Sequence, residues 1–194
     1  MKKYIGTEKK NTAVFISGKG SNLKNLLLFS KKKNSPIKIN LVVASTKGAS
    51  GIKYAKKFGI KNLIYSPNSN LNKDKKFIKL LTKLNVKLIC LAGYMKILNK
   101  YFIKNFNGII LNIHPSLLPK YKGLNTYSKV LKNKEKITGC TVHLVTEKLD
   151  SGKVILQGKV KIIKNDNIAS LKSKVKKKEY EIYPKSIFKI KKFL

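Results

Sequence analysis

The chain has 194 residues, 42% of them hydrophobic, which is enough for one domain with a substantial core. No apolar stretch approaches the roughly 18 residues of a membrane helix, and the basic N-terminus lacks the apolar segment of a secretory signal. The formal net charge is +36, but all 44 basic residues are lysines scattered along the chain, which argues against a dedicated nucleic-acid reader, because such proteins rely on arginine.

Short apolar runs alternate with helical patterns along the first 114 residues. The runs predict strands at 12–17, 39–45, 86–93 and 108–114. The patterns between them predict helices at 21–32, 51–59 and 72–85. This alternation is typical of βαβ units in a mostly parallel sheet, and near-continuous apolar strands fit a sheet covered on both faces.

The pattern changes after residue 123. Two predicted strands, 138–146 and 153–163, flank the turn sequence EKLDSG, which predicts an antiparallel pair at one edge of the sheet. Residues 167–192 predict a lysine-rich helix that Pro184 interrupts. Cys90 and Cys140 lie in strand-like segments without metal or redox spacing, so we expect buried thiols in the cytoplasm.

The glycine-rich sequence SGKGSN, residues 17–22, follows the first predicted strand and opens the first helix. Such a turn directs backbone N–H groups and a helix N-terminus at an anion, and Ser21 or Asn22 can cap the helix. The third glycine of the dinucleotide fingerprint, the acidic residue about 20 positions on and the Walker A spacing are all missing. The loop therefore favours one phosphate on a small molecule, with a purely structural tight turn as the alternative.

Asn112 and His114 are two residues apart at the end of a predicted strand, so both side chains point to one side. Pro115 ends the strand at the sheet edge where open α/β folds bind ligands. Asp150, one of eight acids, follows the strand of His143, and a carboxylate beside His114 would favour its imidazolium. Amide and imidazolium donors aimed at one point stabilise an oxyanion.

No serine or cysteine is poised as a nucleophile near these donors, which indicates direct transfer of an acyl group between two small molecules. The alternative for His114 is a core histidine that has a packing role only. His143 lies between two apolar residues, and we interpret it as a supporting rather than a catalytic residue.

Five motifs occur in a fixed order: ISGKGSNL at 16–23, LAGYMKIL at 91–98, LNIHPSLLPKYKG at 111–123, GCTVHLVTEKLDSG at 139–152 and EIYP at 181–184. On these motifs the chain resembles the folate-dependent phosphoribosylglycinamide formyltransferase family of purine synthesis, from residue 12 to about 188. The resemblance implies an α/β fold. It has a mostly parallel, twisted sheet of about seven strands with helices on both faces, a Rossmann-like N-terminal half and an antiparallel edge near the C-terminal half.

The resemblance also implies a domain organisation. Residues 1–11 would be an N-terminal extension with no counterpart in the family, and 12–194 a single formyltransferase domain. Its first part, 12 to about 100, would hold the ribonucleotide phosphate, and about 101–194 would carry catalysis and folate binding.

The implied reaction moves a formyl group from 10-formyltetrahydrofolate to the glycine amine of 5'-phosphoribosylglycinamide, without metal or nicotinamide. Asn112 and His114 would hold and protonate the tetrahedral intermediate, while Asp150 would raise the pKa of His114 and relay protons through water. The other implied contacts are Gly20, Ser21 and Asn22 with the phosphate, Glu179 with the ribose or glycinamide end, and Asn112 and the backbone of Met95, Lys96, Ile97 and Leu98 with the folate.

The chain departs from the family pattern at several positions. The 66–74 loop is shortened and lacks an arginine that often meets the folate tail, and Lys96 replaces the usual arginine. Asn125 and Tyr127 stand where many relatives have histidines, and Ser151 replaces a glycine. These departures bear on folate affinity more than on the chemistry.

Other formyltetrahydrofolate enzymes share part of these motifs. A tRNA formyltransferase would need a C-terminal tRNA-binding domain, for which we expect no room, and a hydrolase usually has an additional N-terminal domain. A basic binding protein on an inactive α/β scaffold is the alternative from another class. We expect small-molecule substrates, no specific nucleic-acid or membrane partner, and a monomer or weak homodimer.

Overall fold

The apolar runs of the sequence form a single sheet in the computed structural model, which describes residues 8–67 and 71–194. Within these residues the strands are β1 (Lys10–Ile16), β2 (Ile37–Ala44), β3 (Lys61–Ile64), β4 (Leu88–Leu91), β5 (Ile109–His114), β6 (Ile137–Leu144) and β7 (Val154–Lys161). The helices are α1 (Ser21–Lys31), α2 (Ile52–Lys57), α3 (Leu71–Lys83), α4 (Lys100–Asn105), α5 (Thr126–Lys132) and α6 (Ile168–Ile190), followed by a short 3₁₀ turn at Lys191–Phe193. No helix in this described part is long and apolar enough to cross a membrane.

The strand order is β3-β2-β1-β4-β5-β6-β7. Strands β1 to β5 are parallel, whereas β6 and β7 each run antiparallel to their neighbour. The predicted mostly parallel α/β sheet with an antiparallel C-terminal edge is therefore confirmed. The order reverses between β1 and β4, and this reversal opens a crevice at the carboxyl ends of the two strands.

Two hydrophobic cores cover the two faces of the sheet. Alternate residues of β1 point to opposite faces, so Val14 and Ile16 enter one core while Ala13 and Phe15 enter the other. Helices α1 and α6 pack on the first core, and α3 and α4 on the second. Burial on both faces explains why the central strands are almost entirely apolar.

Several short elements differ from the sequence-based expectation. β1 begins at Lys10, two residues before the predicted start, so residues 10 and 11 of the expected extension belong to the sheet. Strand β3 and helices α4 and α5 were not predicted individually. β3 is the edge strand of the sheet and its residues are partly exposed, so it lacks the continuous apolar run of the central strands. Residues 1–7 of the extension and 68–70 of the altered loop lie outside the described residues.

Helix α6 is continuous through Pro184, so the predicted interruption is wrong. Proline lacks an N–H group and therefore leaves the carbonyl of Tyr180, four residues earlier, without its helical partner. The side chain of Asn25 in α1 supplies the missing donor, since its Nδ2 lies 2.9 Å from that carbonyl oxygen. A hydrogen bond from another helix thus replaces the one that the proline cannot donate.

Tyr183 connects α6 to the centre of the sheet, and its loss should weaken the fold. Its fully buried hydroxyl lies 3.0 Å from the carbonyl oxygen of Leu91 and 3.2 Å from that of Leu111. Tyr183→Phe removes two buried hydrogen bonds, so we expect the free energy of unfolding to fall by about 1–3 kcal/mol. Urea denaturation measures the change.

Tyr180→Phe is the matched control on the same helix. The ring of Tyr180 lies beneath the ammonium group of Lys176, a contact that phenylalanine retains. Equal unfolding midpoints for the two variants would contradict the assigned role of the Tyr183 hydroxyl.

Candidate active site

Three segments meet at the carboxyl ends of neighbouring parallel strands. Residues 17–22, the loop expected to hold a phosphate and called the phosphate loop below, follow β1. Residues 95–98, expected to contact the folate that donates the formyl group and called the donor segment below, follow β4, and His114 ends β5. Because β4 pairs with both β1 and β5, the three segments share one edge of the sheet. This edge is the expected ligand-binding position in an open α/β sheet.

Asp150 is the centre of a buried polar cluster at this edge. Its Oδ2 accepts a hydrogen bond from the backbone N–H of Gly123 at 2.9 Å and lies 3.3 Å from Nδ1 of His114. Its Oδ1 lies 3.5 Å from Nδ2 of Asn112 and 3.6 Å from Nε2 of His143. The structure thus brings together the three residues predicted to be catalytic, together with the histidine predicted to support them.

Both ring nitrogens of His114 face acceptors. Nε2 lies 2.8 Å from the carbonyl oxygen of Tyr121, to which it donates, and Nδ1 faces Asp150. Burial lowers the pKa of His114 below 6.5, while the Tyr121 carbonyl and Asp150 act in the opposite direction. Asp150 therefore raises the pKa of His114, as expected from the sequence, but burial outweighs this contribution.

The carboxyl group of Asp150 has a pKa below its usual value. Burial raises this pKa, but the neighbouring imidazoles of His143 and His114 and the hydrogen bond from the Gly123 backbone lower it further than burial raises it. The group is therefore an anion near neutral pH, and it is available to accept protons or to hold an imidazolium.

His143 orients the amide of Asn112. Its Nδ1 lies 2.8 Å from the carbonyl oxygen of Leu144, so this nitrogen carries the proton. Nε2 is then an acceptor and lies 3.2 Å from Nδ2 of Asn112. One amide N–H group of Asn112 is therefore bonded to His143, and the other points towards Asp150, close to the ring of His114 that Asp150 also contacts. Two donors beside one carboxylate can together reach one developing oxyanion.

The phosphate loop is shaped by a close approach of two backbones. Gly20 has φ +69°, and a Cβ atom at this position would lie 2.7 Å from Cα of Gly51. Gly20 is also the N-cap of α1 and makes no side-chain hydrogen bond, so the expected capping by Ser21 or Asn22 is wrong. The loop leaves N–H groups at the start of α1 directed outwards, a geometry that suits an anion.

Asn22 and Glu179 meet beside this loop, although 157 residues separate them. Nδ2 of Asn22 donates to Oε2 of Glu179 at 2.7 Å, and both residues are buried. Burial raises the pKa of Glu179, and the Asn22 hydrogen bond partly opposes that effect. Oδ1 of Asn22 is buried without a partner in the described part of the chain, so it is an acceptor available to a ligand hydroxyl.

The donor segment exposes much of its apolar surface. Met95 and Ile97 are 70% and 71% exposed, and Lys96 is exposed as well, whereas Leu98 is buried in the second core. The backbone N–H of Met95 donates to Oγ of Ser17 at 2.7 Å, which ties this segment to the phosphate loop. Sequence reasoning missed Ser17 and the Tyr121 carbonyl, since neither a bridging hydroxyl nor a backbone oxygen carries a recognisable pattern.

Three residues that depart from the family pattern, Asn125, Tyr127 and Ser151, have well-defined surroundings in the structure. Asn125 has φ +59° and is the N-cap of α5, and Tyr127 is half-buried, with a pKa raised by burial and by Glu179. Oγ of Ser151 accepts a hydrogen bond from Nζ of Lys122 at 2.6 Å.

Across residues 8–67 and 71–194, no group of three or more His, Cys, Asp or Glu residues could hold a metal ion.

Acidification should destabilise the folded chain through His114. Because its folded-state pKa is depressed, the unfolded chain binds a proton that the folded chain does not, from pH 6.5 down to that lower pKa. The stability contribution is present above pH 6.5 and is lost as the pH falls through this window. Thermal unfolding midpoints from pH 7.5 to 5.0 should therefore fall more for wild type than for His114→Gln, and parallel curves would refute this assignment.

Gly20→Ala should distort the phosphate loop for two reasons. The new Cβ atom would clash with the Gly51 backbone, and alanine would have to adopt a positive φ. We expect a loss of about 1–3 kcal/mol in unfolding free energy, measured by urea denaturation. Gly18→Ala is the control in the same loop, since no atom lies within 4 Å of its added Cβ. A Gly18→Ala variant as unstable as Gly20→Ala would show that the backbone approach is not the cause.

Comparison with known families agrees with this geometry. The formyl transferase family model matches residues 10–187. A phosphoribosylglycinamide formyltransferase of Haemophilus influenzae is 42% identical over 178 residues, which cover 90% of this chain and 84% of that protein. The trifunctional purine biosynthetic protein adenosine-3 of Gallus gallus is 40% identical over 94% of this chain, which spans only 18% of that longer protein.

Solved structures agree with the sequence comparisons. Phosphoribosylglycinamide formyltransferase of Anaplasma phagocytophilum superposes with a TM-score of 0.87 and 35% identity, over 96% of this chain and 88% of that chain. Glycinamide ribonucleotide transformylase 1 of Symbiobacterium toebii also has a TM-score of 0.87, with 34% identity, over 92% of this chain and 86% of that chain. The chain therefore belongs to the formyl transferase family, as the resemblance of its motifs predicted.

Proposed function

We propose that this formyltransferase moves a formyl group from 10-formyltetrahydrofolate to the glycine amine of 5'-phosphoribosylglycinamide. The observation that carries the proposal is the convergence of Asn112, His114 and Asp150 at the sheet edge that also holds the phosphate loop. The names of the relatives from Haemophilus influenzae and Anaplasma phagocytophilum support the choice of acceptor.

The ribonucleotide binds at the phosphate loop. Backbone N–H groups of residues 20–22 and the N-terminus of α1 hold the phosphate, which needs no arginine there. Glu179 accepts hydrogen bonds from the sugar hydroxyls, and the buried Oδ1 of Asn22 accepts one more. These contacts direct the glycine amine towards Asp150 and His114.

The formyl donor binds along the donor segment. Backbone groups of Met95, Lys96 and Ile97 face the pterin ring, and the exposed apolar side chains of Met95 and Ile97 cover it. Leu98 contributes through its backbone, because its side chain is buried in the core. Asn112 then lies between the formyl carbon and the protein interior.

Transfer begins when the amine nitrogen attacks the formyl carbon, and the carbonyl electron pair moves to the oxygen. Asn112 Nδ2 and protonated His114 donate to this oxyanion. The amine loses a proton, which Asp150 accepts through a water molecule. The electron pair of the oxyanion then re-forms the carbonyl as the bond between carbon and N10 breaks, and the proton held by Asp150 returns through the water to N10 of the folate.

The depressed pKa of His114 fits its role in this sequence. A buried imidazolium gives up its proton readily, and a developing oxyanion beside the ring would raise its pKa as the intermediate forms. The Tyr121 carbonyl holds the Nε2–H group of that imidazolium, and its Nδ1–H group, which faces Asp150 at 3.3 Å, is the one that donates to the oxyanion. The environment therefore stabilises the charged ring most when the intermediate is present.

Loss of the formyl group, followed with and without the ribonucleotide, tests this function. We expect loss only when the ribonucleotide is present. His114→Gln should lower kcat by roughly 100-fold or more, with both KM values within a few-fold of wild type, because it removes the acid but not the binding contacts. Asp150→Asn should lower kcat similarly, and Tyr180→Phe, which lies outside the site, should leave it unchanged.

Other outcomes point to other functions. Loss of the formyl group without the ribonucleotide would identify a hydrolase. A requirement for tRNA instead of the ribonucleotide would identify a tRNA formyltransferase. No loss by folded protein would favour a binding protein on the same scaffold.

A further inference from the structure

Asp74 is a buried carboxylate that lies outside the catalytic cluster. It is fully inaccessible to solvent and lies in the first turn of α3. Burial of an unpaired carboxylate is strongly unfavourable, so such a group needs hydrogen-bond donors. The chain has only 8 acidic residues against 44 basic ones. Within residues 8–67 and 71–194, however, Asp74 forms no ion pair with a lysine.

Two neutral side chains supply the donors for Asp74. The hydroxyl of Tyr65 donates to Oδ1 at 2.5 Å, and Nδ2 of Asn99 donates to Oδ2. Burial raises the pKa of Tyr65, and the hydrogen bond to Asp74 adds to this effect, so the phenol keeps its proton as a donor. The carboxylate therefore joins the end of β3 to the start of α4.

Asn99 can take only one orientation in this arrangement. Its Oδ1 accepts a hydrogen bond from the backbone N–H of Phe102 at 2.8 Å, which makes Asn99 the N-cap of α4. Its Nδ2 is then left for Asp74. The residue thus binds both the helix that follows it and the carboxylate of α3.

These contacts hold the two ends of the donor segment. Asn99 directly follows residue 98. Tyr94 directly precedes residue 95, and its hydroxyl donates to the carbonyl oxygen of Tyr65 at 2.9 Å. Of the two donors to Asp74, Tyr65 is therefore bonded to the residue before the segment, and Asn99 is itself the residue after it.

The middle of the donor segment has few contacts of its own. Within the described part of the chain, the backbone N–H groups of Lys96 and Ile97 have no hydrogen-bond partner, and both residues are exposed. The conformation of these residues therefore depends on how the ends are held. A weaker anchor at Asn99 would change the direction of the N–H groups that a pterin would meet.

We propose that Asp74 is a positioning residue for the formyl donor. It holds Asn99 and Tyr65, and through them it fixes the backbone of residues 95–98. This proposal rests on the proposed function, because it takes the donor to bind along this segment.

Asp74→Asn tests the proposal, since it removes the negative charge and keeps the shape of the side chain. We expect the KM for 10-formyltetrahydrofolate to rise roughly tenfold, the size of a weakened hydrogen bond to a charged group. The KM for the ribonucleotide and kcat should stay within about twofold, as expected for loss of donor binding alone. Calorimetric binding of tetrahydrofolate should weaken by a similar factor, and amide hydrogen exchange at residues 95–98 should accelerate.

Asp166→Asn is the matched control. This carboxylate also has a buried side chain, and it accepts hydrogen bonds from Nζ of Lys174 at 2.6 Å and from the Ile163 N–H at 2.9 Å, but it lies at the start of α6. Asp166→Asn should leave the KM for the donor and exchange at residues 95–98 unchanged. Tyr65→Phe is a milder variant, because it removes one donor to Asp74 and keeps the ring stacked on Phe77.

The outcomes separate the two proposals. An unchanged donor KM and unchanged exchange in Asp74→Asn would overturn the positioning role, as would an equal rise in both KM values. If Asp74→Asn does not fold, Tyr65→Phe decides, and an unchanged donor KM and exchange there would also overturn the role. Absence of ribonucleotide-dependent transfer by the wild-type enzyme would overturn the proposed function, whereas tetrahydrofolate binding and exchange still test Asp74.

Discussion

The site depends on the in-register parallel pairing of β1, β4 and β5. Phe15, Leu91 and Asn112 lie in one row across these strands. Each strand ends within a few residues of that row, so the phosphate loop, the donor segment and His114 emerge at one edge although about 100 residues of chain separate them. The Tyr183 hydroxyl, which bonds carbonyl oxygens of β4 and β5 near this row, links the edge to α6 and therefore to Glu179 on the same helix.

Carboxylates are scarce in this chain, and those buried without a lysine partner lie around the site. Among the described residues these are Asp74, Asp150 and Glu179, and each accepts a hydrogen bond from an uncharged donor. The other acids pair with lysines or lie nearer the surface. Burying an acid without a lysine partner costs free energy, although lysines are abundant in a chain of net charge +36. The burial of these three acids therefore indicates that their positions matter for function. The surrounding positive charge also favours anionic ligands such as phosphate and carboxylate groups.

Long elements and ordered motifs were predictable from the sequence, whereas short elements and backbone contacts were not. The apolar runs gave the parallel strands because burial on both faces leaves a strong local pattern. β3 leaves a weaker pattern because it is the edge strand and its residues are partly exposed. Pro184 was misjudged because the donor from Asn25 comes from a different helix. The grouping of Asn112, His114 and Asp150 followed from strand geometry, but the net pKa of His114 did not, since burial depends on the whole fold.

Ser17 shows how the two binding segments depend on each other. Its Oγ accepts hydrogen bonds from the Met95 N–H at 2.7 Å and from the Ser45 hydroxyl at 2.8 Å, and its own N–H donates to the Gly93 carbonyl at 3.1 Å. Ser17, the first residue of the phosphate loop, therefore bonds both Gly93 and Met95, the two neighbours of Tyr94. Met95 is the first residue of the donor segment. Transfer requires the amine and the formyl carbon to approach within bonding range, and small displacements of either substrate are costly. A direct hydrogen bond between the two segments fixes their separation more rigidly than two segments anchored independently. In the proposed function, the sheet edge itself would therefore set the spacing of the two substrates.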